Sequence, residues 1–266
     1  MRILKLGTLT ATSLVALATF ASAADLRAPV YKAPVYAPAF SWTGFYIGGN
    51  IGAGWGTTQY EQPIPLGTVL AGAPGLVAEG SNTVDGLLGG GQVGYNYQWG
   101  PTVWGIEFQG EAANVKGQGS CGIVALFNCN TKVDGILTLA GRFGLTWDHT
   151  MLYVKGGGAW AHDQYNVNLL GLSLAVPGIV TIGPASNSEW RSGWMIGTGV
   201  EQAISGNWSA KIEYDYMDFG TKTDLLTTVT SPALPAINGL LNSYNITQQV
   251  HMIKFGVNYR FGYGYY

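Results

Sequence analysis

Ten charged side chains that share one parity in a series of alternating segments are the strongest candidates for chemistry. Glu107, Glu111, Glu201, Glu213 and Asp215 supply the negative charges, and Arg142, Lys155, Lys211, Lys254 and Arg260 supply an equal number of positive ones. A set that cancels in sign can line a narrow water path, or it can pair across an enclosed space. Enclosure favours pairing, because an unpartnered charge taken out of water costs on the order of several kcal/mol.

Other constellations carry less. Cys121 and Cys129 are the only cysteines, and in an exported chain they predict a disulfide closing a short loop. Gly89-Gly90-Gly91-Gln92-Val93-Gly94 fits the GxGxxG spacing of a dinucleotide loop. No helical pattern follows it and no strand–helix–strand unit surrounds it, so strand glycines beside bulky neighbours explain it better. His149, His162 and His251 are scattered. The last two fall on strands that are not neighbours, so they share no metal, and no cofactor is expected. Hydrolysis at an outer rim would need a histidine held against a carboxylate. His162-Asp163 is the one adjacent pair, and the start of an exposed loop is its simpler meaning. The chain reads as non-enzymatic.

The elements that must position these groups begin with an export signal. Arg2 and Lys5 precede an apolar run from Leu6 to Phe20, and Ala21-Ser22-Ala23 offers small residues at a cleavage site. Residues 1–23 are therefore expected to be a signal peptide. Residues 24–41 carry Pro29, Pro34 and Pro38 and read as an extended periplasmic lead-in. Charged residues make up only 11% of the whole chain, less than half the usual share of about a quarter. The mildly negative net charge excludes a basic nucleic-acid footprint.

From Trp42 the pattern has period two. Phe45, Ile47, Ile51 and Trp55 alternate with Tyr46, Gly48, Asn50 and Gly52; Trp208, Ile212, Tyr214 and Tyr216 alternate with Ser209, Lys211, Glu213 and Asp215. Eight such segments can be phased, each about as long as a tilted membrane-spanning strand requires. Short turns follow the second, fourth and sixth; long connections near 57–86, 113–134, 162–190 and 218–249 follow the first, third, fifth and seventh. The expected fold is all-β: an eight-stranded antiparallel transmembrane β-barrel over residues 42–261, with short periplasmic turns and long extracellular loops. Aromatics gather at strand ends, with Trp99, Trp104, Trp147, Trp208 and Phe261 at the inner edge and Trp55, Trp190 and Tyr216 at the outer. The apolar parity then faces lipid and the charged parity an enclosed lumen.

Trp42-Thr43-Gly44-Phe45-Tyr46-Ile47-Gly48-Gly49-Asn50 resembles the opening strand of a family of small alphaproteobacterial outer-membrane β-barrels. That family includes the rhizobial RopB-like proteins and belongs with the opacity-protein and OmpA-like barrels. Tyr153-Val154-Lys155-Gly156-Gly157, the run from Trp208 to Tyr216 with Asp218-Phe219-Gly220, and Gly256-Val257-Asn258-Tyr259-Arg260-Phe261 are also similar to it. The resemblance implies an outer-membrane location and a structural, surface-exposed or host-interaction role. Some relatives are called porins and some are reported to bind haemin. It also implies that the aromatic at Phe261 is read by the barrel-assembly machinery, although a tail, 262–266, follows here.

The segments Pro63 to Ala78, Leu169 to Pro184 and Leu225 to Leu241 carry no charge, which suggests loops that pack on one another above the membrane. Expected partners are outer-membrane lipids and lipopolysaccharide, the assembly machinery, and a host or environmental ligand at the loops. The functional expectation is a surface barrel that supports the envelope and presents its loops, with a small-solute porin or a haemin-binding surface protein as the alternative.

Overall fold

A computed structural model describes residues 40–61, 79–120, 127–169, 181–183, 185–225, 228–230 and 243–261. The signal segment, most of the lead-in, Cys121 and the tail 262–266 lie outside these residues. Cys129 is placed by its backbone alone, so the disulfide also falls outside what is described.

In chain order the strands are β1 (Gly44–Glu61), β2 (Glu79–Trp99), β3 (Thr102–Ser120), β4 (Phe127–Trp147), β5 (Thr150–Leu169), β6 (Thr181–Gly183), β7 (Ala185–Ser205), β8 (Trp208–Leu225), β9 (Thr228–Thr230) and β10 (Ser243–Phe261). The eight long strands close into one barrel in the order β1-β10-β8-β7-β5-β4-β3-β2. Neighbours are antiparallel throughout, and the seam runs from Phe45 opposite Phe261 to Glu61 opposite Asn245. From Trp194 downward, where β7 and β8 also pair, closure leaves no edge, which is what a hydrocarbon solvent demands of backbone donors and acceptors. The short strands β6 and β9 pair with each other. They lie in two of the uncharged loop segments, and so join the β5–β7 connection to the β8–β10 connection.

At the periplasmic end three tight turns reverse the chain, each opening on a residue with left-handed backbone: Gly100 (φ 58°), Asp148 (φ 54°) and Gly206 (φ 53°). Glycine adopts that geometry without steric cost, and a short polar side chain such as aspartate tolerates it.

The strands run further than the sequence pattern marks. Each has 18–21 residues and continues well into the stretches expected to be loop. At about 3.3 Å per residue and a tilt near 45° they rise roughly 45 Å, against an apolar band of about 25 Å. The excess projects outward, because the periplasmic turns are only two residues long. Above the band the outer face meets water, so Thr57, Gln59 and Glu61 can point out while the ladder continues. Apolar–polar alternation fades there, but hydrogen bonding does not.

Within the band the outer wall is greasy. Ile51, Leu87, Ile106, Leu152, Ile196 and Phe255 are exposed, Leu87 by 74%. An unbroken apolar belt of this kind has no place on a soluble monomer. Trp99, Trp104, Trp147, Trp208 and Phe261 ring its lower edge, and Trp55, Trp160, Trp190 and Trp194 its upper edge. Tyr216 is half-buried at the upper edge, packed edge-on against Trp194 with ring centroids 5.5 Å apart.

Candidate functional site

The interior is built by the opposite parity of the same strands, and β10 reads out its layers. Upward from the periplasm its inward residues are Arg260, Asn258, Gly256, Lys254, Met252, Val250, Gln248 and Ile246. Charge and amide come first, then an apolar level, then polar groups again. β3 repeats the lower part, with Val103, then Glu107, Gln109 and Glu111, then Ala113 and Val115.

All ten charged residues singled out in the sequence are buried, and nine of them meet in one network. Lys254 Nζ reaches Asp215 Oδ2 at 2.7 Å, Glu213 Oε1 at 3.1 Å and Glu111 Oε1 at 3.4 Å. Lys155 Nζ lies 2.7 Å from Glu213 Oε1 and 3.4 Å from Glu107 Oε1. Lys211 bridges Glu107 and Glu213 at 3.2 Å each. Arg142 pairs closely with Glu201 and lies over the Tyr153 ring, 3.6 Å from its centroid. Each cation faces at least one carboxylate, which offsets the desolvation a sealed lumen imposes.

Neutral side chains complete the network. Tyr46 Oη donates to Glu107 Oε2 at 2.8 Å, and Tyr153 Oη to Glu213 Oε2 at 2.6 Å. The two tyrosines use the same device. Tyr46 sits opposite Gly94 and Tyr153 opposite Gly199, and a Cβ on either glycine would occupy the phenol's place. Gly94, the last glycine of the GxGxxG run, thus has a packing role inside a strand.

Arg260 is set apart from the other nine. Its guanidinium lies 4.6 Å from the Phe40 ring centroid and 5.3 Å from that of Trp42. Trp42 is buried, its backbone N–H donates to Gln98 Oε1 at 2.7 Å, and it packs with Val103, Met151 and Tyr153. Phe40, which the sequence reading leaves in the lead-in, meets both Trp42 and His149 ring to ring. The periplasmic mouth is corked.

Above the charges lies a level the sequence reading missed. Leu88, Ile136, Met195, Met217, Val250 and Met252 are buried together with inward alanines and valines. Parity was the available signal, since Met217 follows Asp215 by two and Met252 precedes Lys254 by two. A top level follows, where Asp163 accepts from Tyr165 Oη at 3.1 Å and Gln248 Nε2 at 3.2 Å, and Arg191 Nη1 donates to Tyr165 Oη at 3.0 Å.

The histidines are all outside the lumen. His149 lies in a periplasmic turn against Phe40. His251 stacks on Trp55 and shares a 2.7 Å hydrogen bond with Tyr214 Oη. His162 places Nδ1 2.5 Å from Asp134 Oδ1, not against its sequence neighbour Asp163, which faces inward. Phe261 closes β10 on the outer face, with its ring centroid 5.8 Å from that of Phe45.

A closed antiparallel wall that is apolar outside and fills its own lumen with paired charge defines a transmembrane β-barrel. The chain belongs to the family described as outer membrane protein beta-barrel domain, whose model matches residues 10–261. It is 31% identical over 254 residues to a 31 kDa outer-membrane immunogenic protein of Brucella melitensis, covering 92% of this chain and 95% of that one. It is 28% identical over 202 residues to a 22 kDa outer membrane protein of Rhizobium leguminosarum bv. viciae, covering 72% and 70% respectively. Among solved structures it is similar to the outer membrane protein OprG from Pseudomonas aeruginosa, with a TM-score of 0.46 and 15% identity, covering 82% of this chain and 97% of that one. The protein is an outer-membrane barrel.

Proposed function

We propose that the protein is a closed structural barrel of the bacterial surface, which anchors in the outer membrane, supports the envelope and presents its loops outward. The observation that carries this reading is the stacked filling of the lumen. The Trp42 cork, the charge network around Lys254, the Met195–Met217–Met252 level and the Arg191–Asp163 level lie one above another. Eight strands leave room for side chains and little else, and each level would have to open for a solute to pass.

The loops are the part that faces the environment. Two of them are tied together through β6 and β9, and a relative carries the name outer-membrane immunogenic protein, which supports a surface that other organisms meet. The outer wall supports lipids and lipopolysaccharide as its constant partners, and Phe261 at the end of β10 is proposed as the aromatic read by the assembly machinery.

Reconstitution in planar bilayers tests the closed reading. The folded mature chain is expected to give no stable channel. Uniform, reproducible conductance steps would overturn the proposal in favour of a small-solute porin.

A further inference from the structure

On the outer face, at the upper edge of the apolar belt, His162 stands between a hydroxyl and a carboxylate. Its Nε2 lies 3.2 Å from Ser188 Oγ and its Nδ1 lies 2.5 Å from Asp134 Oδ1. The other carboxylate oxygen, Asp134 Oδ2, accepts from Gln164 Nε2 at 2.7 Å. We propose that Ser188, His162 and Asp134 form an esterase site that acts on ester-linked acyl chains of outer-leaflet lipids.

The division of the two ring nitrogens is what nucleophilic catalysis needs: one faces the hydroxyl, and the other is held by the acid that fixes the tautomer and stabilises the imidazolium. Three neighbouring strands build it. Ser188 on β7 is opposite Gln164 on β5, and His162 is opposite Trp190 on β7 and Gly135 on β4. Asp134 reaches the group through a β-bulge, since the β4–β5 register shifts between Val133 and Gly135. A bulge re-aims a side chain that regular alternation would place elsewhere. Ser188 is exposed, while the side chains of His162 and Asp134 are 27% and 26% exposed. The nucleophile is open and its partners are half-sheltered.

Depth selects the substrate. His162 is twelve residues above Thr150 on β5, roughly 28 Å along the membrane normal at the tilt used above, which places it at the outer boundary of the apolar band. The Trp190 ring lies 5.1 Å from the His162 ring, so an acyl chain can lie along the wall while its ester reaches Ser188.

The chemistry balances with water alone. Ser188 Oγ bonds to the ester carbonyl carbon as its proton passes to His162 Nε2. Collapse breaks the bond to the alcohol oxygen, which takes that proton. A water molecule then gives one proton to His162 Nε2 as its oxygen bonds to the acyl carbon; the bond from that carbon to Ser188 Oγ breaks, Oγ takes the proton back from His162, and the fatty acid leaves.

The full mature chain, folded in detergent micelles and checked by heat-dependent gel mobility, should be treated with a fluorophosphonate probe and with p-nitrophenyl palmitate. Ser188 is expected to be the labelled residue. S188A and H162Q should lower hydrolysis to background, and D134N should lower it by roughly 10² or more. S192A, which removes an exposed hydroxyl lower on the same strand, should behave as the parent. Absence of labelling in the folded parent, labelling that survives in S188A, or hydrolysis unchanged in H162Q would each overturn the site. None of these outcomes bears on whether the lumen conducts.

Discussion

His162 and Asp163 are consecutive in the chain and stand on opposite sides of the barrel wall. His162 faces out toward Asp134 and Ser188, while Asp163 is fully buried beneath Tyr165 and Gln248. Strand geometry forces this, because successive side chains leave a strand in opposite directions. A pair adjacent in sequence is the pair least able to cooperate within a strand. The functional neighbour of His162 is 28 residues away.

Asp163 gives the barrel a pH dependence. The residue is thirteen positions above Thr150 on β5, beyond the outer edge of the apolar belt. Burial pushes its carboxyl up to about 6, with the hydrogen bond from Gln248 and the Arg191 charge opposing. The native state therefore holds the proton more tightly than the unfolded chain. The stability tied to that proton is complete below the ordinary carboxylate value and is lost as pH rises through about 6. D163N should remove this loss, and the midpoint of heat-dependent gel mobility for D163N relative to the parent should rise between pH 4 and pH 7. Parallel curves would show that Asp163 does not titrate in this way.

Lys254 holds the charge network at its crowded end, where Glu111, Glu213 and Asp215 converge. K254M keeps much of the volume and removes the charge. It should cost about 3–5 kcal/mol, because buried carboxylates lose their partner. K254M/D215N should recover part of that loss. Urea unfolding in detergent measures both, and equal stability of K254M and parent would contradict the role given to Lys254.

Two alanine substitutions separate packing glycines from permissive ones. A Cβ at Gly199 would take the space of the Tyr153 phenol, whereas a Cβ at Gly141 would meet Gly156 O at 3.9 Å, an ordinary contact. G199A should therefore destabilise by about 1–3 kcal/mol, the usual range for overpacking. G141A should stay close to the parent. The same unfolding measurement decides, and comparable losses in both would dismiss the tyrosine–glycine pairing as a source of stability.

Much of the wall was legible in the sequence because lipid and lumen impose opposite demands on alternate residues. Trp208, Ile212 and Tyr214 against Lys211, Glu213 and Asp215 leave no doubt about which parity meets which solvent. The methionine level was not legible in that way. Met217 shares the parity of Asp215, but an apolar residue on an inward position does not announce itself in a chain whose outward positions are apolar too. The bulge at Asp134 hid for a related reason: Val133 and Ile136 both face inward, and only two intervening residues reveal the slip. Strand length was underestimated because Thr57 and Gln59 answer to water on the outside, where apolar periodicity has no cause.

Trp42 precedes β1 by two residues, and β1 is the strand that must find β10 to complete the circle. The indole is enclosed by side chains from β3 and β5, while Arg260 of β10 lies against its ring. The stopper is thus shared between the approach to the first strand, two strands of the middle and the last strand, so the residues that fill the periplasmic opening also tie the two ends of the circle together.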